Sequence, residues 1–335
     1  MDTRLYITHK SALHFWRCYR IASLDPSKKL LSFNAFPAAT NEAAQCAHTS
    51  REIQDLLDTL NLPFGLDLIK LFGSTLHIAL ASFEQKCRMQ TVKTHVWPFT
   101  FTREAFYRLD NNVYIASPAS CLAQLSRELS LPKTILLSME FSGTYALDPN
   151  TRETHYQVQS ILTAEGFRAF LNANPHSKSS KHMNALRASE YMICNSASRM
   201  ETNLAMLLTL PYRYGGYGLP KPDMNVDLLN NNSSSSPQQH KRFKPDLYWP
   251  KYNLALEYNS HEFHVTPNTY EHDADRRDIL EEMGITVIPV SKQKVYDPSL
   301  LDHLSHKIAN IMGHRLKLPK DFMQKQDQLR QEILF

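Results

Sequence analysis

The densest chemistry in the chain lies in KPDLYWPKYNLALEYNSHEFH, residues 244–264. A turn centred between Lys251 and Tyr252 leaves Asp246 and Glu257 equally far from it. A regular two-stranded hairpin then sets the two carboxylates directly opposite each other, with Cβ atoms about 4.5–5.5 Å apart. By alternation Tyr248 and Asn259 share that face, while Leu247, Trp249, Leu254 and Leu256 turn the other way, toward a core. Opposed carboxylates repel, and a shared Mg²⁺ or Mn²⁺ relieves the repulsion. Such hard cations take oxygen ligands, from one or two carboxylates, water and phosphate. A pair of this kind would clamp a scissile phosphate and activate water for in-line attack. The plainer alternative is that one carboxylate faces solvent or pairs with Arg242 or Lys251, since surface carboxylates far outnumber ligands. The apolar strands around the pair, and the polar cluster Asn259, Ser260, His261 and His264 after it, weigh toward the metal.

The elements that must position this hairpin can be read on both sides of it. A helix is expected over about His182–Cys194. A second starts at Ser198, an N-cap with Glu201 at capping-box spacing, and buries Leu204, Leu207 and Leu208. Pro211 and the turn GGYG (Gly215–Gly218) end it. Strands follow near Val226–Leu229 and Phe243–Trp249, separated by the polar stretch Asn230–Lys241. That stretch reads as a surface loop, an insertion that costs a hairpin little entropy per added residue. After a turn at Pro250–Asn253 come a strand over Leu254–Asn259, a helix near Tyr270–Met283, a buried strand GITVIPV and a helix over about Pro298–Met312. The order is α-β-β-β-α-β-α.

A Pro-Asp, then a Glu about ten residues on at the end of an apolar strand, resembles the PD-(D/E)XK nuclease superfamily. The likeness is to its branch related to very-short-patch-repair endonucleases. That branch follows the Glu strand with a polar turn and a histidine, here EYNSHEFH with His264. An Asp-x-x-Arg pattern, Leu and Gly come next, here Asp273, Arg276, Leu280 and Gly284, before the strand TVIPV. The resemblance covers about 120 residues and implies a restriction-endonuclease-like α-β-β-β-α-β core. It makes Asp246 and Glu257 ligands of Mg²⁺ or Mn²⁺. It makes Glu201 a further ligand or water-orienting acid, His264 a general base or ligand, and Arg276 a phosphate contact. One position departs: where the superfamily often has lysine, and this branch often Asp, the chain has Asn259. Asn259 can coordinate through its carbonyl oxygen but supplies no positive charge.

Each of these residues also has a structural reading. Glu201 can be only the capping-box acid. Arg276 sits in EHDADRRDILEE, where intrahelical ion pairs compete with DNA contact. Lys241, Arg242 and Lys244 are the best local basic cluster for nucleic acid, though short charge runs are usually just solvated.

The remaining 1–175 reads as a mixed α/β recognition or regulatory domain, with strand-like LHIALAS and TVKTHVWPFT. An amphipathic helix is expected to open at Ser117-Pro118 and carry Leu122, Leu125 and Leu129; Ser117, Pro118 and Cys121 read as an N-capped helix start. The run VKTHVWPFT with FYRLDNNVYIASPASCLAQLS resembles AbiEi-type antitoxin-like proteins over about 60 residues. It implies a toxin–antitoxin or phage-defence setting and a protein partner for this domain. The nuclease domain is expected over 182–315 and a helical tail over 316–335, with the boundary at NANPHSKSSK.

The bulk numbers fit two globular domains: 335 residues, 42% hydrophobic and 21% charged. With 37 basic against 33 acidic side chains, the net charge of +4 neither requires nor excludes a DNA partner. Five scattered cysteines exclude a zinc-finger pattern and fit a reducing compartment. No apolar run resembles a signal peptide or membrane span, so the expectation is cytoplasmic. The functional expectation is a metal-dependent DNA endonuclease in phage defence or DNA repair. The alternative is a non-catalytic DNA-binding or antitoxin-like regulator that keeps the nuclease fold.

Overall fold

The computed structural model describes residues 3–26, 45–60, 68–80, 89–96, 105–110, 112–174, 183–229, 242–259 and 283–335. The chain is mixed α/β and divides into two compact units, Met1–Met192 and Ile193–Phe335.

The first unit begins with β1 (Thr3–Ile7), α1 (His9–Ala22), β2 (Gln45–Cys46), α2 (Ser50–Asp58) and α3 (Leu68–Phe72). Then come β3 (Leu76–Leu80), β4 (Val92–Val96), β5 (Phe106–Asp110) and β6 (Val113–Ala116). They form a mixed sheet in the order β4-β3-β1-β6-β5, with β2 beside β1. Helix α1 packs on α3 and β3 and buries Phe15, Trp16 and Tyr19. The Trp16 indole N–H donates to Ala116 O at 2.8 Å, so its polar atom is satisfied inside the core. Buried Arg20 donates to the carbonyls of Gln159, Glu140 and Gly143, which replace the water it loses.

The amphipathic helix expected from Ser117 is two helices, α4 (Pro118–Leu125) and α5 (Leu131–Ser142). Each has its own serine N-cap, Ser117 and Ser130, and its own early proline. Pro132 lacks an N–H and suits a first turn, so the chain restarts rather than continues. Every residue of α4 is buried, so it has no polar face. A short hairpin, β7 (Tyr145–Leu147) with β8 (Thr154–Tyr156), precedes α6 (Ala164–Ala173) and α7 (Met183–Tyr191). Helix α7 returns onto α5 and α6. Asn184 Nδ2 donates to Leu129 O at 3.2 Å, and Ala185 and Ala188 are buried. These contacts carry the first unit past the expected 175–182 boundary.

The second unit opens with α8 (Arg199–Thr209), whose Leu204, Leu207 and Leu208 are fully buried. A 3-10 turn at Tyr212–Tyr214 and Gly215, at φ +85°, end the segment. A Cβ on Gly215 would lie 2.3 Å from Lys325 O, so glycine lets the C-terminal helix lie directly on this turn. Six strands follow: β9 (Asp223–Met224), β10 (Leu228–Leu229), β11 (Arg242–Phe243), β12 (Leu247–Trp249), β13 (Leu254–Asn259) and β14 (Thr286–Ser291). Helices α9 (Lys292–Tyr296), α10 (Pro298–Ile311) and α11 (Phe322–Ile333) close the unit.

The sheet order is β14-β13-β12-β9, antiparallel from β9 to β13 and parallel between β13 and β14. A parallel neighbour requires a long connection, and the chain between Asn259 and Thr286 is long enough for one. Of the strand expected over Val226–Leu229, Leu228–Leu229 is observed, paired with Arg242–Phe243 in a separate ladder, while the strand beside β12 is the earlier Asp223–Met224. Asn225, at φ +51°, breaks the run between them. Helix α11 packs on α8 and the 3-10 turn and buries Phe322, Leu329 and Ile333, so the tail is part of the unit. The helix expected near Tyr270–Met283 lies outside the described residues up to its final methionine.

Candidate functional site

The hairpin has the register that its turn dictates: Leu247 pairs with Leu256, Tyr248 with Ala255 and Trp249 with Leu254. The ladder ends at the Leu247–Leu256 pair, and Asp246 lies in the bend just before β12. Asp246 Oδ2 accepts from Tyr258 N at 2.6 Å, which holds the aspartate at that level of β13. Both carboxylate residues are half-buried, and Glu257 Oε1 is shielded from solvent. Leu247, Trp249, Leu254 and Leu256 are buried as their alternation requires. The opposite face is covered too, because Tyr248 and Ala255 pack with Phe243 and Ile285. Burial, with Asp223 adding like charge, raises the Tyr248 phenol above its usual range.

Glu201 lies at the start of α8 and serves as a capping acid. Its N–H donates to Ser198 Oγ at 3.1 Å, and its Oε2 accepts from Ala197 N at 2.8 Å. The same oxygen accepts from Asn225 Nδ2 at 2.7 Å. Asn225 N in turn donates to Pro245 O at 3.1 Å, on the residue before Asp246. Asn225 therefore ties the helix acid to the aspartate segment, and sequence reasoning missed it. Its left-handed backbone, which Asn tolerates better than most residues, was the available signal.

Asn259 is exposed at the end of β13, paired with Ser291. Lys244 is exposed, and Arg242 forms part of β11. Lys241, His264 and Arg276 lie outside the described residues. A cation not anticipated from the sequence is Lys294: its Nζ donates to Pro289 O at 2.9 Å, and Pro289 is the ladder partner of Glu257.

The first unit holds a different cluster. His77 on β3 and His95 on β4 share a sheet face, because Ala79, two residues after His77, pairs with His95. His77 Nδ1 and His95 Nε2 are 2.8 Å apart. His9 begins α1 at φ +47° and stacks on His95, with ring centroids 3.5 Å apart and planes 15° apart. Glu128, in the α4–α5 connection, places Oε1 3.9 Å from His95 Nδ1. Among the described residues, His9, His95 and Glu128 are the one group of three whose ligand atoms all lie within 4.8 Å of one another; Glu201, Asp246 and Glu257 do not meet that distance together. Burial, reinforced by charge on the neighbouring groups, lowers the three imidazole pKa values to about 2 for His9, about 4 for His77 and about 3 for His95. All three are neutral near pH 7. Sequence reasoning missed this cluster; the only trace was histidine inside the strand-like runs LHIAL and VKTHV.

No family model and no solved structure matches the chain. Two uncharacterized proteins of Mycobacterium tuberculosis, MT2308 of strain CDC 1551 and Rv2248 of strain H37Rv, are each 28% identical to it over 95 residues. The match covers 28% of this chain and 30% of each relative, so the chain spans less than a third of their length. Among the described residues no helix is long and apolar enough to cross a membrane.

Proposed function

We propose that the Ile193–Phe335 unit is a metal-dependent DNA endonuclease with a restriction-endonuclease-like core. The observation that carries this reading is the hydrogen bond from Tyr258 N to Asp246 Oδ2, which holds the aspartate next to the Glu257 segment of β13 at the end of a buried apolar ladder. The sheet supports it, with three antiparallel strands, a crossover and a fourth strand parallel to the glutamate strand. The donor set is all oxygen and suits a hard cation. Asp246 and Glu257 would hold Mg²⁺ or Mn²⁺, with Glu201 as a water-orienting acid, and the ion would supply charge neutralisation and an acidified water. Asn225 orients Glu201, Lys294 offers positive charge where Asn259 has none, and exposed Lys244 would add positive charge facing the DNA backbone. DNA as partner, and a phage-defence or repair setting, rest on the resemblances in sequence. A protein partner for the first unit rests on them as well.

A second reading is a DNA-binding or antitoxin-like regulator without turnover. It is favoured by the hydrogen bonds that Asp246 and Glu201 already make to backbone N–H groups, and by Asn259. Incubation of plasmid, mismatched and single-stranded DNA with the full chain in Mg²⁺ and in Mn²⁺ separates the two. The endonuclease reading expects cleavage that Asp246→Ala or Glu257→Ala reduces by about 10³-fold. Salt-sensitive binding with intact DNA would select the regulator instead.

A further inference from the structure

We propose that His9, His95 and Glu128 form a binding site for a zinc-class transition-metal ion in the first unit, with His77 and Thr8 orienting the two imidazoles. The site is independent of the nuclease reading and uses none of its residues.

The hydrogen bonds of Thr8 decide which nitrogen His9 would present. Thr8 is the N-cap of α1, yet its hydroxyl makes no capping bond. It donates instead to the side-chain carbonyl of buried Gln124, whose own amide is oriented by a bond to Ser120 Oγ. A hydroxyl has one proton, so the contact of Thr8 Oγ1 with His9 Nδ1, 3.2 Å, has the imidazole as donor. His9 Nε2 then carries a lone pair. The residue placed to cap α1 serves the ring of His9 instead.

His95 is held from its other side. If His95 Nε2 donates to His77 Nδ1, at 2.8 Å, its Nδ1 faces Glu128 as a bare acceptor. Metal-binding histidines commonly donate their second ring nitrogen to a fixed neighbour in this way. The 3.9 Å between His95 Nδ1 and Glu128 Oε1 exceeds a hydrogen bond. It is shorter than the sum of Zn–N and Zn–O bonds, about 4.2 Å, so one ion can span it. Tetrahedral zinc holds two imidazole nitrogens about 3.3 Å apart. His9 and His95 are stacked, with centroids 3.5 Å and planes 15° apart, so their in-plane lone pairs run side by side, and metal uptake requires the rings to rotate until those lone pairs converge.

The surroundings select the kind of metal. Lys93, Lys10 and Arg127 place positive charge near the cluster. They disfavour an ion held by charge alone, whereas imidazole donors suit zinc, nickel, cobalt and copper. Glu128 is 40% exposed at its side chain and gives the ion a route from solvent. Two imidazoles and one carboxylate leave a fourth position open, the arrangement of an exchangeable rather than a closed structural site.

The test is metal uptake by the full chain carrying Asp246→Ala and Glu257→Ala, so that the hairpin does not contribute. The protein is stripped with chelator and titrated with Zn²⁺, and with Co²⁺ for its visible absorption. The expected result is stoichiometric Zn²⁺ and a tetrahedral Co²⁺ spectrum, with affinity falling at least about 100-fold in His95→Gln and about 10–100-fold in His77→Gln. Glu128→Gln, at a solvent-facing position, keeps the fold and should also weaken binding. No uptake by the parent chain would overturn the proposal. So would uptake that His95→Gln and Glu128→Gln leave unchanged.

Discussion

The two clusters differ in how far apart their residues lie in the chain. Asp246 and Glu257 are brought together by one turn, so their pairing follows from counting outward from Lys251 and Tyr252. His9, His77, His95 and Glu128 come from a helix start, two parallel strands and a loop, and only the folded sheet joins them. The first kind of site can be read before folding is known. The second cannot, because each histidine alone has the appearance of an ordinary core residue. The clusters also differ in donor chemistry: oxygen only in the hairpin, and mainly imidazole in the first unit.

That contrast can be pressed at several points. The largest stability effect should come from acid acting on the histidines. An unfolded chain protonates each near pH 6.5, whereas the folded values lie at about 4 for His77, about 3 for His95 and about 2 for His9. The unfolded state therefore binds more protons over that interval, so the stability is present above pH 6.5 and is lost as pH falls. The slope should approach about 1.4 kcal/mol per histidine per pH unit. Urea unfolding of the metal-free chain from pH 7.5 to 5 measures it, and a slope unchanged by His77→Gln would break the account.

Asn225→Ala is next. It removes the amide donor from buried Glu201 and the side chain that favours φ +51°, and should cost about 1–3 kcal/mol. Asn225→Asp should be worse, since it sets a second carboxylate against Glu201. Thermal melts of the two variants rank them, and equal stability would mean that the bridge carries no weight. The smallest expected change is Thr8→Val, about 1 kcal/mol, because the helix cap is already absent and only the His9–Gln124 relay is lost. Its metal affinity should fall by more than its stability does, and the reverse order would remove Thr8 from the site.

Much of the second unit was legible because its apolar residues alternate around a turn, so Leu247, Trp249, Leu254 and Leu256 could be assigned to the core in advance. The breaks were not legible. Asn225 enters the left-handed region where the chain meets Pro245 and Glu201, a tertiary circumstance that separates β9 from β10. The polar-looking helix FMQKQDQLRQEI hides Phe322, Leu329 and Ile333 on one face, and Gly215 lets it approach. In the first unit, the polar NANPHSKSSK stretch resembled a domain boundary, yet α7 returns past it to α5 and α6. The direction a chain takes after a polar loop depends on packing partners that local pattern does not contain.

The central claim is that Asp246 and Glu257 share a cation, and binding tests it more directly than cleavage does. Titration of Mn²⁺ into the full chain, followed by electron paramagnetic resonance, should show a site that Asp246→Asn and Glu257→Gln each weaken by at least about 10-fold. Mn²⁺ uptake that neither substitution alters, or no uptake at all, would contradict it.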